Sequence, residues 1–400
     1  MKKQFFLTLL LLIVTVPCLR AQKKELAQAR TYIKSGKDFD KAERLMTDLL
    51  KDEANRDNKK IYVTWYDAVK AQYAVENEKI YLHQKYDTAA FFGLIQKMYA
   101  ITESLDSIDA KPDGNGRLRP EFRKSHADDM HRLRRNVYYG GTYFLRKCNY
   151  TRAFSFFDTY LDAASQPLFT GYDYARTDTL MKEAAYWAVF CGFKQKDPAM
   201  TLKYSKLALT NSQKAKYTLQ YACEAYHQTG NDAAYINTLK EGCRQYPDYP
   251  YFFPRLASYY NSISRPDSVV LLADDALARY PEKPIFLLAK SAALLKMDKY
   301  SECVAISQKL IDNHPDMPEP YLNVGTVYLN QALELEKKNE PRTYHDQIVG
   351  LYTKAKPYME TYRKLNPEGG RLWAPALYRI YLNLNMDTQF REIDTLLKTM

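Results

Sequence analysis

The chain has 400 residues, a formal net charge of +11 at pH 7 and 26% charged residues. The two signs of charge are mixed along the sequence, which predicts a solvated surface with a weak attraction for acidic partners. The six cysteines are scattered without a C-x-x-C pair, and this spacing excludes a disulfide framework and a zinc site.

Residues 1–21 have the pattern of a cleavable signal peptide. Two lysines precede the apolar run FFLTLLLLIVTV, which is shorter than a bilayer span, and a cleavage site follows at Ala21. A lipoprotein signal with Cys18 is the alternative, but Pro17 stands where such signals need a small residue. We therefore expect a periplasmic or secreted protein that has no transmembrane span and no nucleic-acid partner, with peripheral envelope association left open.

Residues 22–125 are predicted to form a divergent N-terminal helical region. Residues 23–56 contain one helix pair, with DFDKAERLMTDLL as its second helix. Residues 60–108 have a helical apolar pattern of irregular length, and the sequence DAKPDGNGRLRP after them predicts a loop. Long periodic segments and only 14 glycines predict an all-α fold for the whole chain.

The remaining residues, 126–400, are predicted to form one array of helix pairs. Prolines return every 34 residues at Pro247, Pro281 and Pro315. A proline ends one helix, and a second proline three residues later opens the next. Positions 34 residues apart also carry the same kind of residue. Within the first helix of each unit, a large, a small and a large residue lie on one face, where the small residue lets a neighbouring helix approach. These small residues are Cys223, Ala257, Ser291 and Gly325.

This pattern resembles the tetratricopeptide repeat (TPR), a helix-turn-helix unit of 34 residues. The resemblance implies an all-α, right-handed solenoid, and the chain is similar to the exported TPR proteins of Gram-negative anaerobes. An insertion of 18 residues predicts a projecting hairpin around Asn339 to Pro341 in one unit. The units are predicted near 134–167, 182–215, 216–249, 250–283, 284–317 and 318–369, with a C-terminal cap at 371–400.

In a TPR array the first helices line a concave groove that accepts an extended peptide or a partner helix. Aromatic and arginine side chains are the usual anchors of such interfaces. The alternative is that tyrosine is simply abundant, with 35 copies, and packs against neighbouring helices. The residues predicted to line the groove are Arg135, Tyr138, Arg146, Tyr186, Phe190, Lys194, Tyr217, Glu224, His227 and Tyr251.

No motif of a known catalytic, nucleotide-binding or zinc-binding type occurs in the sequence. His126 and His131 are five residues apart, about 140° around a helix, which is unlike an i, i+4 metal pair. We therefore expect no catalytic residues, no metal and no cofactor. The predicted function is a non-catalytic scaffold or adaptor that binds a protein or peptide partner in the cell envelope.

Two other functions are consistent with the sequence. An enzyme or a glycan-binding component would place its site in the irregular segment 61–124 or in the connection 168–181, where the repeat pattern is interrupted. An accessory protein of envelope assembly would use the predicted hairpin as its docking element.

Overall fold

The computed structural model describes residues 22–112, 116–338 and 341–399. The signal peptide predicted at 1–21 lies outside these residues, and so does part of the tip of the predicted hairpin, residues 339 and 340. The described residues form α-helices and short 3₁₀ turns without a strand, so the prediction of an all-α fold is confirmed. None of the described helices combines the length and the apolar character that crossing a bilayer requires.

The chain divides into two compact units, the first ending at Asp232 and the second beginning at Ala233. The helices of the first unit, in chain order, are α1 (residues 22–34), α2 (Phe39–Leu49), α3 (Lys59–Tyr81), α4 (Thr88–Asp109), α5 (Arg123–Arg146), α6 (Tyr150–Asp162), α7 (Tyr174–Thr177), α8 (Met181–Gln195), α9 (Pro198–Lys203), α10 (Ser205–Ala208) and α11 (Ala215–Gln228).

The helix that starts at the boundary, α12, spans Asp232–Gln245. The helices that follow in the second unit are α13 (Phe252–Ser262), α14 (Pro266–Leu277), α15 (Pro284–Lys296), α16 (Tyr300–Asn313), α17 (Pro318–Glu336), α18 (Pro341–Leu365), α19 (Gly370–Asn383) and α20 (Asp387–Thr399).

Several helices of the first unit begin at a capping side chain. The Asp87 carboxylate accepts hydrogen bonds from the backbone N–H groups of Ala89 and Ala90 at the start of α4. Asn149 and Asp197 cap α6 and α9 in the same way. Because the first N–H groups of a helix have no partner inside it, these residues fix where each helix starts.

Two adjacent glycines allow α5 and α6 to pack closely. A Cβ atom on Gly140 would lie 2.6 Å from the ring of Phe156, and one on Gly141 would lie 2.7 Å from the ring of Phe157. Both rings are fully buried. Glycine at these positions therefore makes room for the aromatic core of the first unit.

The connection between α6 and α8 is packed against the unit. It contains a 3₁₀ turn at Pro167–Phe169 and the short helix α7. The side chains of Leu168, Phe169 and Tyr174 are buried. The interruption of the repeat pattern therefore corresponds to an ordered segment, residues 163–180, and not to an exposed loop.

Two helices differ from the repeat pattern of the sequence. Helix α5 begins at Arg123, eleven residues before the predicted start of its unit at residue 134. The second helix of the unit near 182–215 is divided at Tyr204 into α9 and α10. Periodicity alone locates helix ends poorly.

The 34-residue step of the second unit recurs in its side-chain hydrogen bonds. Lys283 Nζ donates to Asp248 at 2.5 Å, and Lys296 Nζ donates to Asn261 at 2.9 Å, each across 35 residues. The hydroxyl of Tyr300 donates to Glu334 across 34 residues. Consecutive helix pairs are therefore linked at equivalent places.

Helices α17 and α18 are longer than their neighbours, with 19 and 25 residues against 14 in α16. Their contact is reinforced by the buried Tyr352, whose hydroxyl donates to Glu336 at 2.6 Å. These two helices flank the position where the sequence predicts an inserted hairpin.

Candidate partner-binding surface

Helices α8 and α11 bring aromatic side chains together on one side of the first unit. The ring of Tyr221 stacks on Phe193 with centroids 4.4 Å apart and lies 5.9 Å from Phe190. Trp187 contacts Phe190 edge to face at 5.7 Å. We call the group of half-buried aromatic residues the α8–α11 surface; it consists of Trp187, Phe190, Phe193, Tyr217 and Tyr221.

Lysine side chains border this surface. The Lys214 ammonium lies 5.3 Å from the ring centre of Tyr186 and 5.9 Å from that of Trp187. The exposed Lys194 ammonium lies 5.4 Å from the centre of Phe190. Cations over aromatic faces are attracted by the ring quadrupole. The surface thus combines apolar area with positive charge.

The ten residues predicted to line a groove differ widely in exposure. Arg135, Arg146, Lys194 and His227 are exposed, whereas Tyr138, Phe190, Tyr217 and Glu224 are half-buried. Tyr186 and Tyr251 are buried. Tyr251 belongs to the second unit, and the other nine belong to the first.

The two buried tyrosines correct the expectation that all ten side chains are open to a partner. Tyr186 is packed against Trp187 at 4.9 Å, and burial, followed by the neighbouring Tyr221, raises the pKa of its hydroxyl. Tyr251 is covered by the Arg255 guanidinium at 3.8 Å and by Phe252. Both rings fill interior space between helices.

Tyr138 joins α5 to the core. Its ring contacts Phe157 and Tyr160 on α6, with centroid distances of 5.8 and 5.7 Å. Burial, followed by the charge of Glu183 on α8, raises the pKa of the Tyr138 hydroxyl. The next residue, Tyr139, is 49% exposed, so α5 presents that ring to solvent instead.

Sequence reasoning missed Trp187, Phe193, Tyr221 and Lys214. Each lies one to four residues from a predicted groove residue on the same helix or at its start. The rotation of a helix about its axis is set by packing, so the sequence pattern could identify the helices but not their exposed faces.

The two segments proposed for a ligand site also line concave surfaces. A groove of about 1340 Å³ runs along α4 between α2 and α6. Gln96 on its floor donates to the hydroxyls of Ser155 at 2.7 Å and Thr159 at 3.1 Å. A second cavity, of about 580 Å³, lies between α5 and the connection 163–180.

The small residues of the repeat pattern lie at helix contacts. A Cβ atom on Gly325 in α17 would meet the Met359 side chain of α18 at 2.8 Å. Ser291 in α15 is fully buried and lies 2.6 Å, oxygen to oxygen, from Ser307 in α16. Small residues of the first helix thus pack against the second helix of the same pair. The helix pairs have the repeat length and the packing of tetratricopeptide repeats.

Comparison with solved structures finds TPR proteins. The C-terminal part of a TPR repeat-containing protein from Cytophaga hutchinsonii is 14% identical, with 63% of this chain and 91% of that chain covered and a TM-score of 0.42. The type IV pilus biogenesis factor PilW is 14% identical, with 55% and 92% covered and a TM-score of 0.37. The P58(IPK) TPR domain is 13% identical, with 92% and 99% covered and a TM-score of 0.29.

No protein-family model matches the sequence, and no curated protein matches it either.

His126, His131 and Cys191 pack against neighbouring side chains or lie in the interior. His126 is buried against Tyr66 at 4.6 Å, and this burial lowers the pKa of its imidazole. His131 stacks on Tyr172 at 4.2 Å. Burial raises the pKa of Cys191 to about 12, so its thiol stays protonated and weakly nucleophilic. Among the described residues no group of His, Cys, Asp and Glu could hold a metal ion.

Proposed function

We propose that this protein is a non-catalytic TPR scaffold that binds a protein or peptide partner in the cell envelope. The contact region is the α8–α11 surface together with the exposed end of α5 at Arg146. A periplasmic or secreted location, with peripheral envelope association, is part of the proposal and rests on the sequence pattern of residues 1–21.

The observation that supports this proposal is the combination of apolar and basic groups on α8 and α11. Five half-buried aromatic side chains stand side by side, and Lys194 beside them is exposed. Rigid aromatic side chains supply large contact areas at low entropic cost and are enriched at the energetic centres of interfaces. Lysine at the border favours a partner that carries acidic side chains.

The proposal is tested by photocrosslinking in the native host. A photoreactive residue is placed at Phe190 or at Lys194, and crosslinked proteins are identified by mass spectrometry. Lys206 on α10, which is also exposed, provides the control position. One dominant protein captured from α8 and absent at Lys206 supports the scaffold function. Equal capture at all positions, or none at Phe190 and Lys194, contradicts it.

Charge reversal supplies an independent variant. Lys194→Glu is expected to lower partner capture at least about tenfold, because it places a negative charge where the proposed partner is acidic. Lys206→Glu is the matched control and should leave capture unchanged. Melting temperatures of both variants should equal that of the wild type, because both lysines are exposed.

A glycan-binding function is the second candidate, and the groove along α4 favours it. The groove is lined by polar side chains that include Gln96, Asn149, Ser155 and Thr159. Thermal-shift screening with oligosaccharides tests it. A shift that Asn149→Asp removes would favour glycan binding over the scaffold function.

A further inference from the structure

The cavity between α5 and the connection 163–180 has a wall that is fixed in place by a buried arginine. The Arg134 guanidinium lies between the rings of Tyr160 and Tyr174, 3.9 and 3.8 Å from their centres. Its Nε donates to the Asp178 carboxylate at 2.9 Å, and one terminal nitrogen donates to the backbone carbonyl of Tyr160 at 2.8 Å. Asp178 thus neutralises the charge of Arg134.

A stack of aromatic rings beside the cavity connects α5 to the connection 163–180. His131 lies parallel to Tyr172, and its Nδ1 is 2.9 Å from the hydroxyl of Tyr174. The hydroxyl of Tyr172 donates to Asp128 on α5, and this hydrogen bond, followed by burial, raises the pKa of Tyr172 to about 12. These contacts connect residues more than 40 positions apart, so the cavity is formed by the fold and is not a surface irregularity.

Two further arginines line the same cavity. Arg132 and Arg135 are exposed and lie three residues apart on α5, a spacing that places them on one helical face. Within the described part of the chain, neither guanidinium forms an ion pair with a carboxylate. The carboxylates near Arg132 on α5 already have partners: Asp129 accepts from Lys70 and Tyr66, and Asp128 accepts from Tyr172.

The lining also contains a hydroxyl donor. Thr179 borders the cavity, is exposed and makes no hydrogen bond among the described residues, unlike Thr177, which donates to the carbonyl of Asp173. Guanidinium groups bind carboxylate and phosphate oxygens through short, charge-assisted hydrogen bonds, and paired donors add specificity. Arg132, Arg135 and Thr179 thus line the same cavity of about 580 Å³.

We propose that this cavity is a binding site for a small anionic ligand that carries carboxylate or phosphate groups, which Arg132 and Arg135 hold. The site goes beyond the proposed scaffold function and does not depend on it, because a small anion needs neither the α8–α11 surface nor a protein partner. The residues that fix the cavity, Arg134 and Asp178, position the wall and do not contact the ligand in this proposal.

The test measures binding of two probes, citrate and pyrophosphate, to the full chain by isothermal titration calorimetry at low ionic strength. We expect at least one probe to bind, with an affinity that falls as salt is added. The double variant Arg132→Ala/Arg135→Ala is expected to bind at least about tenfold more weakly, since it removes both charge-assisted contacts to the ligand.

Arg371→Ala is the matched control, because Arg371 is an exposed arginine on α19, has no ion pair among the described residues and does not line the cavity. It should bind the probes as the wild type does. Unchanged melting temperatures would show that all variants fold.

Each outcome decides the proposal. Binding of citrate alone assigns a carboxylate ligand, and binding of pyrophosphate alone assigns a phosphate ligand. Failure of both probes to bind the wild type overturns the site. Equal weakening by Arg371→Ala, or no weakening by the double variant, shows non-specific attraction to a basic surface and overturns it as well.

Discussion

At the scale of single residues, Glu103 shows how the fold changes the chemistry of a side chain. It lies half-buried on α4 beside the groove. Burial, followed by the negative charge of Asp162, raises the pKa of its carboxyl from 4.5 to about 7. Near neutral pH this group therefore takes up and releases a proton, although an ordinary glutamate would stay ionised.

Glu103→Gln is predicted to stabilise the protein above pH 7. The raised pKa means that the folded state binds a proton more tightly than the unfolded state does, so the carboxylate lowers wild-type stability as pH rises from about 4.5 to about 7. Glutamine removes this penalty. Thermal unfolding followed by circular dichroism across this range should show a gain in melting temperature that vanishes toward pH 4.5.

Glu121→Gln is a suitable control, because Glu121 is exposed. A gain for Glu103→Gln that is the same at every pH would mean that something other than proton binding is responsible.

At the scale of helices, close approach depends on particular glycines. A Cβ atom on Gly192 in α8 would lie 2.4 Å from the backbone nitrogen of Thr201 and 2.7 Å from the backbone carbon of Met200 on α9. Gly350 in α18 has nothing within 4 Å of the same position. The two helical glycines therefore serve different purposes.

Gly192→Ala is predicted to destabilise the protein by about 3 kcal/mol, because two backbone segments must move apart to admit the methyl group. Gly350→Ala should stabilise it by up to about 1 kcal/mol through helix propensity. Urea denaturation of both variants measures these changes. Equal changes in the free energy of unfolding would show that α8 and α9 move apart at little energetic cost.

At the scale of the whole molecule, the two compact units are expected to respond separately to local damage. In a repeat array each helix pair contacts only its neighbours, so stability varies along the chain. Hydrogen exchange of Gly192→Ala should increase in α8 to α11 and stay unchanged in α17 to α20.

Gly242→Ala provides the reciprocal experiment, because a Cβ atom there would lie 2.3 Å from the ring of Phe252 in the second unit. Its exchange should increase in α12 and α13 and not in α4 to α6. Uniform increases in either variant would indicate one cooperative unit instead.

The candidate site was only partly predictable from the sequence. Of the residues predicted to line the groove, Phe190 is half-buried and Lys194 is exposed. Tyr186 was expected on the same face but is buried. Phe190 and Tyr186 are four residues apart, so helical periodicity predicts the same exposure for both side chains. Only the packing of the neighbouring α11 makes one of them buried and the other half-buried.

The sequence by itself determined the all-α class and the 34-residue step, because helical periodicity and proline punctuation are local signals that need no distant contact. The tertiary structure decided which aromatic rings are exposed and which arginines form an ion pair with a carboxylate. Arg134 pairs with Asp178, 44 residues away, whereas Arg132 and Arg135 on the same helix have no ion pair among the residues that the structure describes. That difference depends on how the connection 163–180 packs against α5, which no local pattern encodes.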